Sequence, residues 1–250
     1  MTTMPLARLI LDPAAPGAWN MAVDEALLMS ASQREGATLR FYTWQSATIS
    51  LGYFQEHEQR ATHAESADCD LVRRATGGGA IVHHHELTYS FVVPLADRLS
   101  ADAEALYYSF HETLIDTLQS FGVAARLCET PVILPRGQEP FLCFQRRAKG
   151  DVLCDDFKIT GSAQRRHHGA VLQHGSILLM RSASAPQLPG IAELAGPVLL
   201  PAELIAAWTP ALAARLNLEL ETGSLTNDES STATEVQRDK FLAPAWNHRR

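Results

Sequence analysis

Apolar side chains return at helical spacing through Ala103, Leu106, Tyr107, Phe110, Leu114, Leu118 and Phe121. This stripe predicts the strongest helix of the chain, capped by Ser100, closed by Gly122 and facing a core. An earlier helix is predicted behind Asn20 as N-cap, with Val23, Ala26, Leu27 and Ala31 on one face and Gly36 as its stop. Between and after these helices the pattern changes. Segments 38–43 and 47–54, joined by Trp44-Gln45-Ser46, predict a hairpin. Segments 80–82, 87–93, 152–153, 157–160 and 170–179 are further strand candidates, many of them rich in β-branched and aromatic residues. The stretch 131–155 is broken by Pro135, Gly137, Pro140 and Gly150, and so irregular a loop is often functional. Prolines 186, 189, 197, 201 and 210 divide the last third into short helices, and a final helix runs from Asn227 or Asp228 through Phe241.

Strands and helices mix without strict alternation, which predicts an α+β fold: a mixed β-sheet with packed helices. At 250 residues, with no internal repeat and no low-complexity linker, the expectation is a single domain over 1–250. A 46% hydrophobic and 20% charged composition is ordinary globular material. The net charge of −7 argues against a general nucleic-acid binder, with Arg146-Arg147 and Arg165-Arg166 as local basic docking points. Neither a signal peptide nor a run of about 18 apolar residues is visible, so no membrane partner and a cytoplasmic location are expected. Cys69, Cys128, Cys143 and Cys154 lack Cys-x-x-Cys spacing and look like reduced thiols.

Candidate chemistry centres on Arg73-Arg74-Ala75-Thr76-Gly77-Gly78-Gly79, followed by His83. Three glycines leave bare backbone against which a ligand can lie, and two arginines can grip a phosphate or carboxylate with forked donors. Alone, the block is equally a flexible turn with arginines on a solvated rim. A second block is Lys158-Ile159-Thr160-Gly161-Ser162-Ala163-Gln164, followed by Leu172-Gln173-His174-Gly175. Together with Asn20-Met21-Ala22-x-Asp24-Glu25, Leu39-Arg40-Phe41-Tyr42-x-Trp44 and the tail 225–246, these blocks closely resemble the biotin/lipoate protein ligase family. The resemblance spans nearly the whole chain. It implies a catalytic domain like that of class II aminoacyl-tRNA synthetases and biotin synthetases.

Two chemistries occur in that family. Lipoate ligases use ATP and Mg²⁺ to make an acyl-adenylate. The cysteine-dependent octanoyltransferases need no cofactor: they take octanoate from acyl carrier protein, hold it on a cysteine and pass it to a lysine of a lipoyl domain of 2-oxoacid dehydrogenases or of glycine-cleavage H protein. Cys143-Phe144, fifteen residues before Lys158, is similar to the nucleophile motif of the transferases, as is Glu86-Leu87-Thr88-Tyr89-Ser90 after the histidine. Little chain follows Trp246, where many ligases carry another small domain. The transferase Pro-Ser-x-Tyr-Glu is replaced by Arg147-Ala148-Lys149-Gly150-Asp151, a departure that leaves the loop shape and acyl donor open.

The resemblance implies Cys143 as nucleophile, with Lys158 stabilising its thiolate and then the oxyanions of the tetrahedral intermediates. It places His83 at the acyl pocket, where Gly161, Ser162 and Ala163 leave room for the acyl chain or pantetheine. His174, beside Gly175, either orients reacting groups or is structural. Ser162 lacks a convincing base and is not expected to be the nucleophile. His83 and His85 share at most one strand face with no further ligand motif, so no metal is expected. An ATP-dependent lipoate ligase is the competing enzyme, and a non-catalytic binder of acyl-carrier or lipoyl domains is a third possibility.

Overall fold

The strongest periodicity forms the helix it predicts. In the computed structural model, which describes residues 4–135 and 137–249, the strands in chain order are β1 (Leu6–Leu11), β2 (Thr38–Tyr42), β3 (Thr48–Leu51), β4 (Asp70–Arg73), β5 (Ile81–His83), β6 (Glu86–Pro94), β7 (Ala125–Leu127), β8 (Val152–Cys154), β9 (Phe157–His167), β10 (Ala170–Leu178) and β11 (Glu219–Gly223). The helices that pack on them are α1 (Gly17–Ser30), α2 (Ala103–Ser120), α3 (Ile191–Ala195), α4 (Pro201–Leu216) and α5 (Asn227–Val236). One sheet has the order β11-β1-β2-β6-β10-β9-β8-β7, and a smaller one the order β4-β3-β5. The large sheet is mixed: β1 runs parallel to β2 and β11, whereas β2–β6, β6–β10 and β10–β9 are antiparallel. This is the expected α+β architecture.

Strand alternation divides the core between two helix layers. Leu39, Phe41, Leu87, Tyr89, Phe91 and Val93 pack with Phe110 and Leu114 of α2 and Trp208 of α4. Tyr42 and Val92 face the other way, onto Met21, Val23 and Leu27 of α1 and Phe241 beyond α5. Ile49, Leu51 and Val82 of the small sheet cluster with Leu142 and Phe144. Leu142 thereby fixes the segment carrying Cys143. No described helix is long and apolar enough to cross a membrane.

Several local expectations differ from the structure. Helix α1 starts at Gly17, so Asn20 lies inside it; its amide donates to Ala15 O and Thr43 O instead of capping. Strands β2 and β3 do not form a hairpin, because they belong to different sheets. Asp102, not Ser100, caps α2 by accepting from Ala105 N; the Ser100 hydroxyl donates to Leu95 O and Asp97 O. Thr226 caps α5 in a reciprocal box with Glu229. Pro210 does not break α4. It and Ala206, whose carbonyl it leaves without an i+4 donor, are solvent-exposed, so water can satisfy the carbonyl.

One buried charge cluster ties α1 to the sheet. Arg40, fully buried on β2, donates to Asp24 Oδ1 at 2.8 Å, Asp12 Oδ2 at 2.6 Å, and both the carbonyl and side-chain oxygens of Asn20 at 3.1 Å. Burial raises the Asp24 pKa, but His174 and Arg40 outweigh it and hold the carboxyl below its ordinary range. The Asn-Met-Ala-x-Asp-Glu and Leu-Arg-Phe-Tyr blocks are thus two halves of one buried network.

Candidate active site

Both chemistry-bearing blocks meet at a cavity of about 420 Å³ lined by Gly77–Gly79, Cys143, Lys158, Asp151, the 161–163 stretch of β9, Trp44 and His83. The glycine loop is bare partly because the protein packs against it. At Gly78 (φ +95°) a Cβ would lie 2.9 Å from Arg74 Nη2, and at Gly79 one would lie 2.9 Å from both the Cys143 nitrogen and the Arg146 guanidinium. The loop therefore sits directly on the segment that carries the thiol.

The two arginines part company here. Arg73 is fully buried away from the cavity, donating to the carbonyls of Gly52, Gln55, Trp246, Asn247 and Arg249. Its fork ties the small sheet to the C-terminal tail, so the expected grip on a ligand does not apply to it. Arg74 lines the cavity, but donates to Ser50 O, Gly77 O and Gly79 O and holds the glycine loop closed. Burial, only partly opposed by Cys143, lowers its pKa to about 10.

Cys143 begins a short 3₁₀ turn, and its backbone N–H donates to Ala80 O at 2.7 Å. Its side chain is half-buried, whereas Cys69, Cys128 and Cys154 are buried. From β9, Lys158 places Nζ 3.8 Å from Cys143 Sγ and 2.9 Å from Asp151 Oδ2. Burial pulls the Lys158 pKa down, but Cys143 and Asp151 more than offset it and hold the ammonium above its ordinary value. A Cβ on Gly161 would fall 2.4 Å from Lys158 Cε and 2.6 Å from Nζ. Only glycine there leaves room for the lysine to fold back toward the thiol.

Ser162 accompanies a partner that sequence reading missed. His111 on α2 is fully buried, with Nδ1 2.6 Å from Gly150 O and Nε2 2.6 Å from Ser162 Oγ. The carbonyl requires Nδ1–H, so Nε2 accepts from the serine hydroxyl, which in turn accepts from Tyr89 OH at 2.6 Å. Burial lowers the His111 pKa to about 4, making it a weak base. The serine is locked as a bridge, not activated. The available signal was a histidine breaking an apolar stripe between Phe110 and Leu114. Asp151 and Tyr107 were also missed, the first because it lies in the stretch that departs from the transferase pattern.

His83 stacks on Trp44 with ring centroids 3.8 Å apart and bonds Ser50 through Nε2 and Glu86 through Nδ1. Burial lowers its pKa despite Glu86. His174 lies at the cavity wall, held between Thr76 Oγ1 at 2.7 Å and Asp24 Oδ2 at 3.3 Å. Thr76 thus acts on the site through His174. Gly175 and Ala163 line the cavity across the β9–β10 ladder. Among the described residues, no group of three or more His, Cys, Asp or Glu side chains is arranged to hold a metal ion.

Residues 16–186 match the model of the lipoyl protein ligase A/B catalytic domain. The chain belongs to this family. Within the lipoyl ligase A/B family, it is 31% identical to octanoyltransferase LipM of Brevibacillus brevis, over 97% of this chain and 99% of the relative. It is 33% identical to octanoyltransferase LipM of Symbiobacterium thermophilum, over 94% and 95% of the two chains. In fold it is similar to a putative lipoate protein ligase from T. acidophilum with bound lipoic acid, with a TM-score of 0.78, 24% identity and coverage of 97% and 99%. Lipoate-protein ligase A bound with ATP has a TM-score of 0.77 at 24% identity, covering 97% of this chain and 98% of that one.

The lipoyl ligase fold thus brings a thiol, an ammonium and a carboxylate together at one cavity wall. Gly161→Ala is expected to displace the end of Lys158 and to crowd Asp151 Oδ1, 3.2 Å from the added Cβ, loosening their buried ion pair. Acyl transfer should fall by at least about 100-fold, as misplacement by about 1 Å can cost that much. Steady-state rates alongside thermal unfolding check this; a fully active variant shows that Lys158 need not occupy its observed position.

Proposed function

We propose that this chain, acting as one catalytic domain over residues 1–250, transfers an octanoyl group from acyl carrier protein to a lysine of a lipoyl domain or of glycine-cleavage H protein through a thioester on Cys143. Similarity to octanoyltransferases along almost the entire chain supports the activity. The observation that carries the route is the half-exposed Cys143 sulfur at the cavity wall with Lys158 Nζ 3.8 Å away.

In the first half-reaction the Cys143 thiolate attacks the acyl carbon. The Sγ–C bond forms, the donor C–S bond breaks, and the departing donor sulfur takes the proton from Lys158. The first half-reaction exchanges one thioester for another and is nearly balanced in energy, and covalent capture divides the transfer into two accessible steps. In the second, the neutral acceptor amine attacks; its C–N bond forms, the C–Sγ bond breaks, and Lys158 regains a proton from the attacking nitrogen. In the first half-reaction the Lys158 ammonium, adjoining the sulfur, also stabilises negative charge developing on the carbonyl oxygen. Met21, Trp44 and Ile81 offer an apolar wall for the chain's tail. No cofactor enters these steps.

Transfer to apo H protein, measured with and without Mg-ATP, tests the proposal. Octanoyl-acyl carrier protein without ATP should give octanoylated product. Product only from a free acid with Mg-ATP supports the ligase alternative, and binding without turnover in either condition leaves a non-catalytic carrier binder.

A further inference from the structure

Asp151 belongs to none of the motif blocks, yet it is buried and its carboxylate is fixed from three sides. Oδ2 accepts from Lys158 Nζ at 2.9 Å and from Ala148 N at 2.7 Å, and Oδ1 accepts from Tyr107 OH at 3.2 Å. The lysine it holds is also nine-tenths buried and reaches the Cys143 sulfur with the same ammonium group. Two acceptors thus share one cation in a water-poor wall.

Acylation changes that balance. Once sulfur carries an acyl group it bears no charge, and Lys158, neutral after giving its proton to the departing donor sulfur, is no longer held by the sulfur at the stage when the incoming amine must shed a proton. A carboxylate that stays in place keeps the lysine nitrogen aimed at the reacting centre in both its charged and neutral forms. We propose that Asp151 is the positioning residue that shares Lys158 with the Cys143 sulfur in the free enzyme and holds Lys158 over the thioester once that sulfur is acylated. This rests on the thioester reading above.

Other charged and titratable groups around the pair do not replace Asp151. Arg74 and Arg146 approach from the glycine loop and the turn after Cys143 and carry the same sign as Lys158. From α2, His111 is held neutral by burial, and Tyr107 points its hydroxyl at Asp151 itself.

The test is Asp151→Asn, which preserves shape and removes the charge. Iodoacetamide alkylation of Cys143 is followed against pH, and amine-dependent release of octanoyl from pre-acylated Cys143 is followed separately. With Asp151 gone, Lys158 serves the sulfur alone, so the alkylation profile should move to lower pH by about one unit. Release should slow by about tenfold or more, because the neutral lysine loses its aim. An unchanged alkylation profile, or one moved to higher pH as expected if Lys158 simply drifts from the sulfur, overturns the inference. If Asp151→Asn does not fold, Asp151→Glu carries the test. Its retained carboxylate should leave the alkylation profile at the wild-type pH while release slows; a shift to higher pH or unaltered release overturns it. Alkylation needs no acyl donor, so a wild type that never accepts octanoyl refutes the thioester reading without mimicking either alkylation result.

Discussion

Cys143→Ala is expected to abolish octanoyl transfer, with a loss of at least about 10⁴-fold on the scale of removing a nucleophile that acts as a unit with its partner. The fold should survive. The sulfur is half-buried at a cavity wall, and the turn is held by its backbone, with Cys143 N donating to Ala80 O and Arg146 N to Cys143 O. Removing Sγ leaves Lys158 paired with Asp151, so no buried cation is stranded. Comparable loss is not expected at Cys69, Cys128 or Cys154, which are buried and do not line the cavity. Transfer rates with purified donor and acceptor domains, alongside circular dichroism, check the expectation. Transfer at the wild-type rate in a folded Cys143→Ala variant means that no acyl group passes through this sulfur.

Arg40→Met is expected to give the largest loss of stability among the substitutions considered, roughly 3–5 kcal/mol, because it strands buried acceptors built around a cation. Arg40 is fully buried, and its guanidinium satisfies Asp12, Asp24 and Asn20 together. Without it Asp24 keeps neighbours such as Tyr42 OH and His174, which cannot replace a permanent charge. The apparent Tm should fall by on the order of 10 °C for a chain of this size. Because Asp24 also holds His174 at the cavity, transfer should weaken below the melting range as well. Adding Asp24→Asn removes the stranded charge and should restore part of the lost stability. A single variant melting within about 2 °C of wild type contradicts this account of Arg40.

Local periodicity and global placement were unequally legible. The α2 stripe and the β-branched runs of β6 and β10 carry their own signal, since core-facing side chains must repeat at 3.6 or 2 residues. Strands β1, β4, β7 and β11 carried too little, because what makes each a strand is a partner supplied by the fold, as Leu6 pairs with Glu219. Gly161-Ser162-Ala163 has no strand propensity, yet β9 runs through it because β10 supplies a continuous ladder opposite. Motif resemblance located Cys143, Lys158, His83, His174 and the glycine loop, all of which line one cavity. It also carried Arg73 along with Arg74, although only tertiary contacts reveal that Arg73 holds the C-terminal tail. The site roles of Asp151, Tyr107 and His111 escaped notice for a related reason: each becomes meaningful only through an atom on another element.

The thioester relay is tested most directly by intact-protein mass spectrometry after incubation with octanoyl-acyl carrier protein in the absence of ATP. A single octanoyl adduct is expected on the peptide containing Cys143, released by hydroxylamine and discharged when an apo lipoyl domain is added. An unmodified wild-type chain that transfers octanoyl at full rate, or one that forms product only from free acid with Mg-ATP, contradicts the relay.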